Sequence, residues 1–211
     1  MIRILMEREK EVIYLVIVPT IIEKNISGEH AYDLYSCLLK ERIIILCGEI
    51  DDAMSASICA QLLYLSARSK APIQLYINSN GGSVTAGLAI YDIIHYIPCE
   101  VSTICMGMCA SMAAVLLCAG SDGKRFALAN SEIMIHQPLG SAQGQATDME
   151  IVAKHIQQVK ERLYRILCKH TKQDRDTIIH DCDRDFYMNA KQAMDYGMVD
   201  EIITAPLYSE L

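Results

Sequence analysis

The residues best suited to chemistry lie around Ser111, between an apolar strand and a short apolar helix. The stretch runs from Val101 through a turn of small residues to Gly120. A serine in the first turn of a helix lies beside backbone N–H groups that have no intrahelical acceptor, and the helix dipole favours negative charge there. Such a position can stabilise an oxyanion. Serine is also a preferred N-cap residue, so a purely capping role for Ser111 stays open at this point.

One histidine, His136, differs from the other five because it ends an apolar strand and precedes a loop. The others fall where helical surface positions are expected: His30, His95, His155, His170 and His180. An imidazole changes charge near neutral pH, which suits a general base. A structural role is the alternative for a histidine that has no partner in the sequence pattern.

Carboxylates and a glycine pair complete the set of candidates. Asp183 and Asp185 flank Arg184, and a catalytic imidazole needs a carboxylate to hold it in the productive tautomer. Together with Asp181, the same charges also fit a solvated or salt-bridged loop. The pair at 81–82 follows a strand, and glycine there can leave a backbone N–H open toward an oxyanion.

The composition predicts one domain without a nucleic-acid surface. About half of the 211 residues are apolar, the formal charge is -7, and there is no basic cluster. The nine cysteines show no CxxC spacing, which predicts reduced thiols, no disulfides, no metal site and a cytoplasmic location. Buried positions are expected for Cys37, Cys47, Cys59, Cys99, Cys105, Cys118 and Cys168. Cys109, close to Ser111, is expected to be a small buried apolar residue.

The chain start is interpreted as a separate N-terminal segment, residues 1–18. It places charge between two short apolar runs, which fits neither a secretory signal nor a membrane span. The run from Val12 to Val18 could be an extra strand, a propeptide or an interaction segment. One domain is predicted over 19–203, with a C-terminal tail at 204–211.

Hydrophobic periodicity predicts three successive strand and helix units. The strands are expected at 43–46, 73–77 and 101–106, the helices at 53–67, 84–97 and 111–119, and an earlier helix at 31–39. Successive units of this kind favour an α/β fold with a parallel sheet.

The second half of the chain has a different pattern. Short strands are expected at 124–127 and 133–136, followed by a polar loop at 140–147 and a helix at 147–170 without glycine or proline. At ~1.5 Å per residue that helix is about 35 Å long, so we expect it to project or to contact another subunit. A short helix after Asp174, a loop at 181–185, a helix between Asn189 and Gly197 and a strand at 199–203 follow.

Seven segments carry specific motifs: Val18–Glu23, Tyr32–Ser36, Tyr76–Asp92, Ser111–Met112, Met134–Pro138, Gln143–Asp148 and Asp183–Asp185. Together they resemble the ClpP family, the proteolytic subunits of ATP-dependent Clp proteases. The resemblance runs in the family's order from about Val18 to Ile203. It implies a ClpP/crotonase-like α/β fold with stacked βαβ units and a protruding handle helix within about 140–170.

The resemblance also assigns a role to each candidate. Ser111 matches the nucleophile, His136 the general base and Asp185 the carboxylate that orients it. Gly82 and Met112 match the two backbone N–H donors of an oxyanion hole. The implied activity is that of a serine endopeptidase which cuts unfolded polypeptides into short peptides.

Assembly is implied as well: two stacked heptameric rings that enclose a chamber, fed by a hexameric AAA+ unfoldase. Asp183 and Arg184 match a charge pair that links ring contacts to the triad, and Gln143 and Thr147 match the region that joins the rings. ATP is hydrolysed by the unfoldase, so no cofactor is expected here, in agreement with the lack of a GxxxxGK[ST] loop. No nucleic-acid or membrane partner is expected.

The sequence departs from the family at a few positions. Asn80 stands where proline is usual, which should loosen the turn that presents Gly82. Met108 and Cys109 replace glutamine and alanine, and the segment before Val18 is longer and more apolar.

Two alternative functions stay open. One is a ring subunit that is idle until a partner activates it. The other is a crotonase-like acyl-CoA hydratase or isomerase, which would need an acidic residue near the glycine turn.

Overall fold

A computed structural model describes residues 2–4, 13–15, 18–25 and 28–204. The chain divides into two compact units, residues 1–43 and 44–211. The remainder of the predicted N-terminal segment 1–18, and all of the predicted tail except residue 204, lie outside the described residues. The domain bounds at 19 and 203 therefore stay a prediction.

The first unit contains two antiparallel strand pairs and a short helix. Strand β1 (Ile2–Ile4) pairs with β2 (Ile13–Leu15), and β3 (Thr20–Asn25) pairs with β4 (Gly28–Asp33), which leads into α1 (Leu34–Lys40). The helix predicted at 31–39 is therefore wrong at its start. The Asp33 carboxylate accepts the Ser36 N–H at 3.0 Å, and this N-cap fixes the point where strand becomes helix.

The second unit is a sheet covered by helices, as the α/β pattern predicts. Its strands are β5 (Ile43–Cys47), β6 (Ile73–Ser79), β7 (Val101–Ala110), β8 (Arg125–Leu128), β9 (Glu132–Ile135), β10 (Phe186–Asn189) and β11 (Glu201–Ile203). Its helices are α2 (Asp52–Arg68), α3 (Val84–Tyr96), α4 (Met112–Cys118), α5 (Ala146–Thr171), α6 (Arg175–Asp181) and α7 (Ala190–Tyr196). Strand β10 follows the loop predicted at 181–185, at a position where the sequence pattern predicted no strand.

The sheet is mainly parallel, with an antiparallel strand at one edge. Strand β7 pairs in parallel with β6, β8 and β9, and β11 pairs in parallel with β8. Strand β10 runs antiparallel along β9. The predicted parallel sheet is confirmed, and the antiparallel edge is an addition that the sequence pattern did not indicate.

Strand β7 pairs with two different strands along one of its edges. Its residues Thr103–Cys105 pair with β8, and Met108–Ala110 pair with β9. Between them the register against β6 shifts, and Gly107 adopts φ of 80°, a conformation that favours glycine. Strand β7 is thus four residues longer than predicted, and its end at Ala110 lies beside β9.

The short helix α4 forms the centre of the core. All seven of its residues are buried, and it contacts α3, α5 and three strands of the sheet. Helix α3 comes close because residue 87 is glycine: a Cβ there would lie 2.2 Å from Cγ of Met112. Because α4 is buried on every side, the position of its N-terminus is fixed, and so is that of Ser111, the residue before it.

Helix α5 confirms the long helix, with 26 residues. Its buried residues lie in its C-terminal third: Leu163, Tyr164, Leu167 and Thr171. Its N-terminal half exposes apolar side chains such as Ile151, which is 63% exposed. Within the described part of the chain, none of the helices has the length and apolar character that a bilayer crossing requires.

The positions of some cysteines and histidines differ from expectation. Cys99, Cys105, Cys109 and Cys118 are buried as predicted, but Cys37, Cys59 and Cys168 are half-buried and Cys47, at the end of β5, is exposed. His30 lies in β4 rather than on a helix. His170 is half-buried, and burial together with the neighbouring Lys169 charge lowers its pKa to about 4.

A buried ion pair joins the ends of several elements of the second unit. The Arg125 guanidinium binds the Asp200 carboxylate and donates to the carbonyls of His170 at 2.8 Å and Gly197 at 3.0 Å. Burial and the attraction of Arg125 act in opposite directions on Asp200, and its pKa is lowered on balance. The pair therefore holds β8 to the C-terminal ends of α5 and α7.

We expect Asp200→Ala to lower the free energy of unfolding by about 3–5 kcal/mol, because it leaves a buried guanidinium without its counter-charge. Glu100→Ala, which breaks the exposed Lys124–Glu100 pair at 2.8 Å, is the matched control and should cost less than about 1 kcal/mol. Urea unfolding at neutral pH measures both. Equal, small losses would contradict a structural role for the buried pair.

Candidate active site

Ser111 occupies a sharp turn between β7 and α4. Its backbone has φ of 55° and ψ of -121°, and its N–H donates to the Met134 carbonyl at 2.8 Å. This conformation is costly for a residue other than glycine, and the buried elements on both sides impose it. Its hydroxyl makes no capping bond to α4. The interpretation of Ser111 as a simple N-cap is therefore wrong.

Strand pairing brings His136 and Asp185 to this turn. Ala110 pairs with Met134 in β9, so the end of β9 lies beside Ser111. Phe186, the first residue of β10, pairs with Ile135 in the antiparallel register. The residues next to that pair, Asp185 and His136, consequently face each other just beyond the ends of the two strands.

The three side chains form a hydrogen-bonded series. His136 Nε2 lies 2.8 Å from the Ser111 hydroxyl oxygen, and His136 Nδ1 lies 3.0 Å from Oδ1 of Asp185. When Nδ1 carries the ring proton and donates it to Asp185, Nε2 is left with the lone pair that accepts from Ser111. The imidazole is 17% exposed and the carboxylate 55% exposed. This geometry is suited to nucleophilic catalysis, with Ser111 as the attacking group, His136 as its base and Asp185 as the carboxylate that orients the imidazole.

The backbone N–H of Gly82 points away from Ile50, which is hydrogen-bonded to the residues on either side of Gly82. Ile50 donates to the Gly81 carbonyl at 2.9 Å and accepts from the Ser83 N–H at 2.7 Å. Successive N–H groups of an extended segment point to opposite sides, so the N–H between these two bonds points away from Ile50. Residue 82 must be glycine here, because a Cβ would lie 2.4 Å from the Ile50 carbonyl oxygen.

The second predicted donor, Met112, lies next to this glycine turn. Met112 is the first residue of α4, where an N–H has no intrahelical acceptor. A Cβ built on Gly81 would lie 3.1 Å from the Met112 nitrogen and 2.8 Å from Cβ of Ser111. The structure thus places Gly81 against Ser111 and the N-terminus of α4.

The loop that carries Asp185 is held by groups that the sequence analysis missed. The Gln137 side chain donates to the Asp183 carbonyl at 2.9 Å, and its backbone N–H donates to the Cys182 carbonyl at 2.7 Å. Lys160 of α5 in turn donates to the Gln137 side chain at 2.8 Å. A Gln-Pro pair directly after the candidate histidine was the available signal, but its partners are distant in sequence.

The remaining predicted positions lie outside the hydrogen-bonded series. Arg184 and Asp183 are both exposed, with 3.9 Å between Arg184 Nε and an Asp183 oxygen. Gln143 is exposed in the loop before α5, and Thr147 is exposed in its first turn. The predicted roles of these residues involve other subunits and stay predictions.

Two surface grooves contain residues of this site. One, of about 530 Å³, is lined by 48–49 and 78–82 and so includes both glycines. The other, of about 400 Å³, is lined by His136, Leu139 and the loop 183–185. Asn80, the residue that replaces the expected proline, is exposed in the first groove.

The chain was also compared with models of known protein families. The model described as Clp protease matches residues 26–206. The chain belongs to the Clp protease family. The resemblance found in the sequence is thereby confirmed, the observed α/β architecture agrees with the ClpP-like fold, and family membership supports a serine peptidase of the ClpP type.

Proposed function

We propose that this Clp protease family member is a serine endopeptidase in which Ser111, His136 and Asp185 form the catalytic triad. The proposal rests on one observation, the unbroken series from the Ser111 hydroxyl through His136 to Asp185 at 2.8 Å and 3.0 Å. A capping role for Ser111 accounts for neither contact, because its hydroxyl makes no capping bond to α4.

The geometry supports a two-step acyl transfer. The Ser111 oxygen attacks the peptide carbonyl while its proton passes to His136 Nε2, and the imidazolium that forms is stabilised by Asp185. The carbonyl oxygen becomes an oxyanion, for which the N–H groups of Gly82 and Met112 are the proposed donors. His136 then gives the proton to the leaving amine. A water molecule, deprotonated by the same imidazole, releases the acyl group and restores Ser111.

The proposed substrate is an unfolded polypeptide. The groove along 78–82 lies at the end of β6 and offers backbone groups to an extended chain, which is the mode by which a peptide adds to a sheet edge. In the proposal, two stacked heptameric rings enclose the sites, and an AAA+ unfoldase delivers the polypeptide with the use of ATP, so that this chain needs no cofactor. Ring contacts through Gln143, Thr147, Asp183 and Arg184, and a cytoplasmic location, belong to the same proposal.

A fluorophosphonate probe tests whether Ser111 is an activated nucleophile. Attack by the serine oxygen forms an oxygen–phosphorus bond and expels fluoride, and the proton passes to His136. We expect one adduct per chain, located on Ser111 by peptide mapping and lost in Ser111→Ala. Ser121→Ala, at the serine whose hydroxyl receives the Val101 N–H, is the control and should label like the wild type.

The result separates autonomous activity from the partner-activated alternative. A folded, oligomeric protein that acquires no adduct would overturn the proposal of autonomous activity and favour a subunit that needs a partner ring. An adduct on another residue would overturn the assignment of Ser111.

A further inference from the structure

The side chain of Tyr164 closes a small apolar cavity beside the catalytic serine. Ser111 and His136 line this cavity together with apolar residues of α3, α4, β9 and α5, among them Val84, Val115 and Leu163. The cavity is only about 20 Å³, enough for one water molecule or a group of similar size. In the proposed peptidase, the substrate side chain next to the attacked carbonyl lies beside Ser111, and this cavity is a space beside Ser111 that apolar side chains line.

Tyr164 is the largest of the cavity's apolar side chains and is held firmly in place. It is 2% exposed on the buried face of α5, and the Lys160 ammonium lies 5.5 Å from its ring centre. The same ammonium is fixed by its hydrogen bond to Gln137. The buried helix face and this cation both restrain the ring, and the cation is bonded to Gln137, which holds the loop that carries Asp185.

The Tyr164 hydroxyl has no hydrogen-bond partner among the described residues, although it is buried. Burial raises its pKa to about 12. A tyrosine whose hydroxyl makes no bond is not kept in place by that hydroxyl, so what the residue contributes at this site is the bulk of its ring.

We propose that Tyr164 determines specificity by restricting the P1 residue, the one whose carbonyl Ser111 attacks, to small side chains such as alanine. This inference rests on the proposed peptidase function. A leucine at P1 would bring three more carbon atoms than alanine into a space that holds about one such group. Each poorly accommodated carbon in an apolar pocket lowers kcat/KM substantially, commonly by 10-fold or more.

Two fluorogenic peptides that differ only in alanine or leucine at P1 test the proposal. For the wild type we expect kcat/KM to be at least about 10-fold higher with alanine. Tyr164→Leu and Tyr164→Ala enlarge the cavity, and each should shift this ratio toward leucine by about 10-fold or more. Tyr164→Phe keeps the ring and should leave the ratio within about twofold.

The variants also separate a specificity role from a general structural one. A structural defect would lower cleavage of both peptides equally, whereas the proposal requires the ratio to change. Tyr164→Leu remains informative if Tyr164→Ala does not fold. A wild type that prefers leucine, or a ratio unchanged in both smaller variants, would overturn the proposal.

Labelling of Ser111 by the fluorophosphonate distinguishes a failure of the proposed peptidase function from a failure of the role proposed for Tyr164. If the wild type is labelled and cleaves both peptides equally, the peptidase function stands and the role of Tyr164 is wrong. If Ser111 is not labelled and neither peptide is cleaved, the proposed function fails, and the specificity inference fails with it.

Discussion

Asp185→Asn is expected to lower kcat for peptide hydrolysis by about 10⁴-fold, the size of effect typical when a triad loses its carboxylate. Each tenfold step in rate corresponds to about 1.4 kcal/mol, so the barrier should rise by about 5.5 kcal/mol. Single-turnover acylation of Ser111 measures the effect directly. It excludes changes in product release, which otherwise obscure the chemical step.

The reason for this large effect lies in the imidazole tautomer. The Asp185 carboxylate can only accept a hydrogen bond, so it requires the proton on Nδ1 of His136, at 3.0 Å. An asparagine at 185 can present its NH₂ group instead, which places the ring proton on Nε2. Nε2 then cannot accept the Ser111 proton, and the imidazolium also loses its counter-charge.

Asp195→Asn is the matched control for Asp185→Asn. Asp195 is an exposed carboxylate of α7 that pairs with Lys191 one helical turn away, and its replacement should change kcat by less than twofold. Both variants must keep the wild-type oligomeric state, checked by sedimentation. A loss below 10-fold for Asp185→Asn in an intact assembly would contradict the proposed role of the carboxylate.

The sequence could predict the local elements around Ser111 but not how they meet. Apolar runs and a glycine turn indicated strands near 73–77 and 101–106 because burial imposes a period that is visible locally. The division of β7 between β8 and β9 has no such signal, since it depends on a register shift near Gly107 and on pairing between residues that are 22 to 24 positions apart. That division places Met134, and therefore His136, beside Ser111.

The choice between Asp183 and Asp185 shows the same limit. Residue types alone left both carboxylates open, and only the family resemblance favoured Asp185. Asp185 comes to face His136 through the antiparallel pairing of Phe186 with Ile135, in a strand that the sequence pattern did not predict. Strand β10 has only four residues, two of them aromatic and one a methionine, and its last residue, Asn189, also caps the next helix. Such a segment is too short to show the alternating pattern by which a strand is recognised.

The supporting residues could not be predicted for a related reason. Lys160 and Gln137 are 23 positions apart, and Gln137 and Asp183 are 46 apart, so their contacts arise from the packing of α5 against the loop. The same contacts couple the long helix to the triad. These two hydrogen bonds connect Lys160 of α5, through Gln137, to the loop that carries Asp185.

Gly81→Ala is expected to lower kcat by about 10²–10³-fold, as the loss of one oxyanion donor does. The new Cβ would lie 2.8 Å from Cβ of Ser111, 2.8 Å from the Ala110 carbonyl and 3.1 Å from the Met112 nitrogen. None of these atoms belongs to a flexible side-chain end, so the turn at 81–82 must move. The distance between the proposed N–H donors then no longer matches a single oxyanion.

Backbone strain alone does not explain the predicted loss, and Gly123→Ala serves to show this. Gly81 has φ of 95° and Gly123 has φ of 75°, so alanine is strained at both positions, but a Cβ at Gly123 meets nothing within 4 Å. Both variants should therefore lose stability through backbone strain, whereas only Gly81→Ala, which adds the steric clash, should lose acylation of Ser111. The Km for a short peptide should change little, because the oxyanion forms only in the transition state. Equal activity in the two variants would remove the glycine turn from the proposed mechanism.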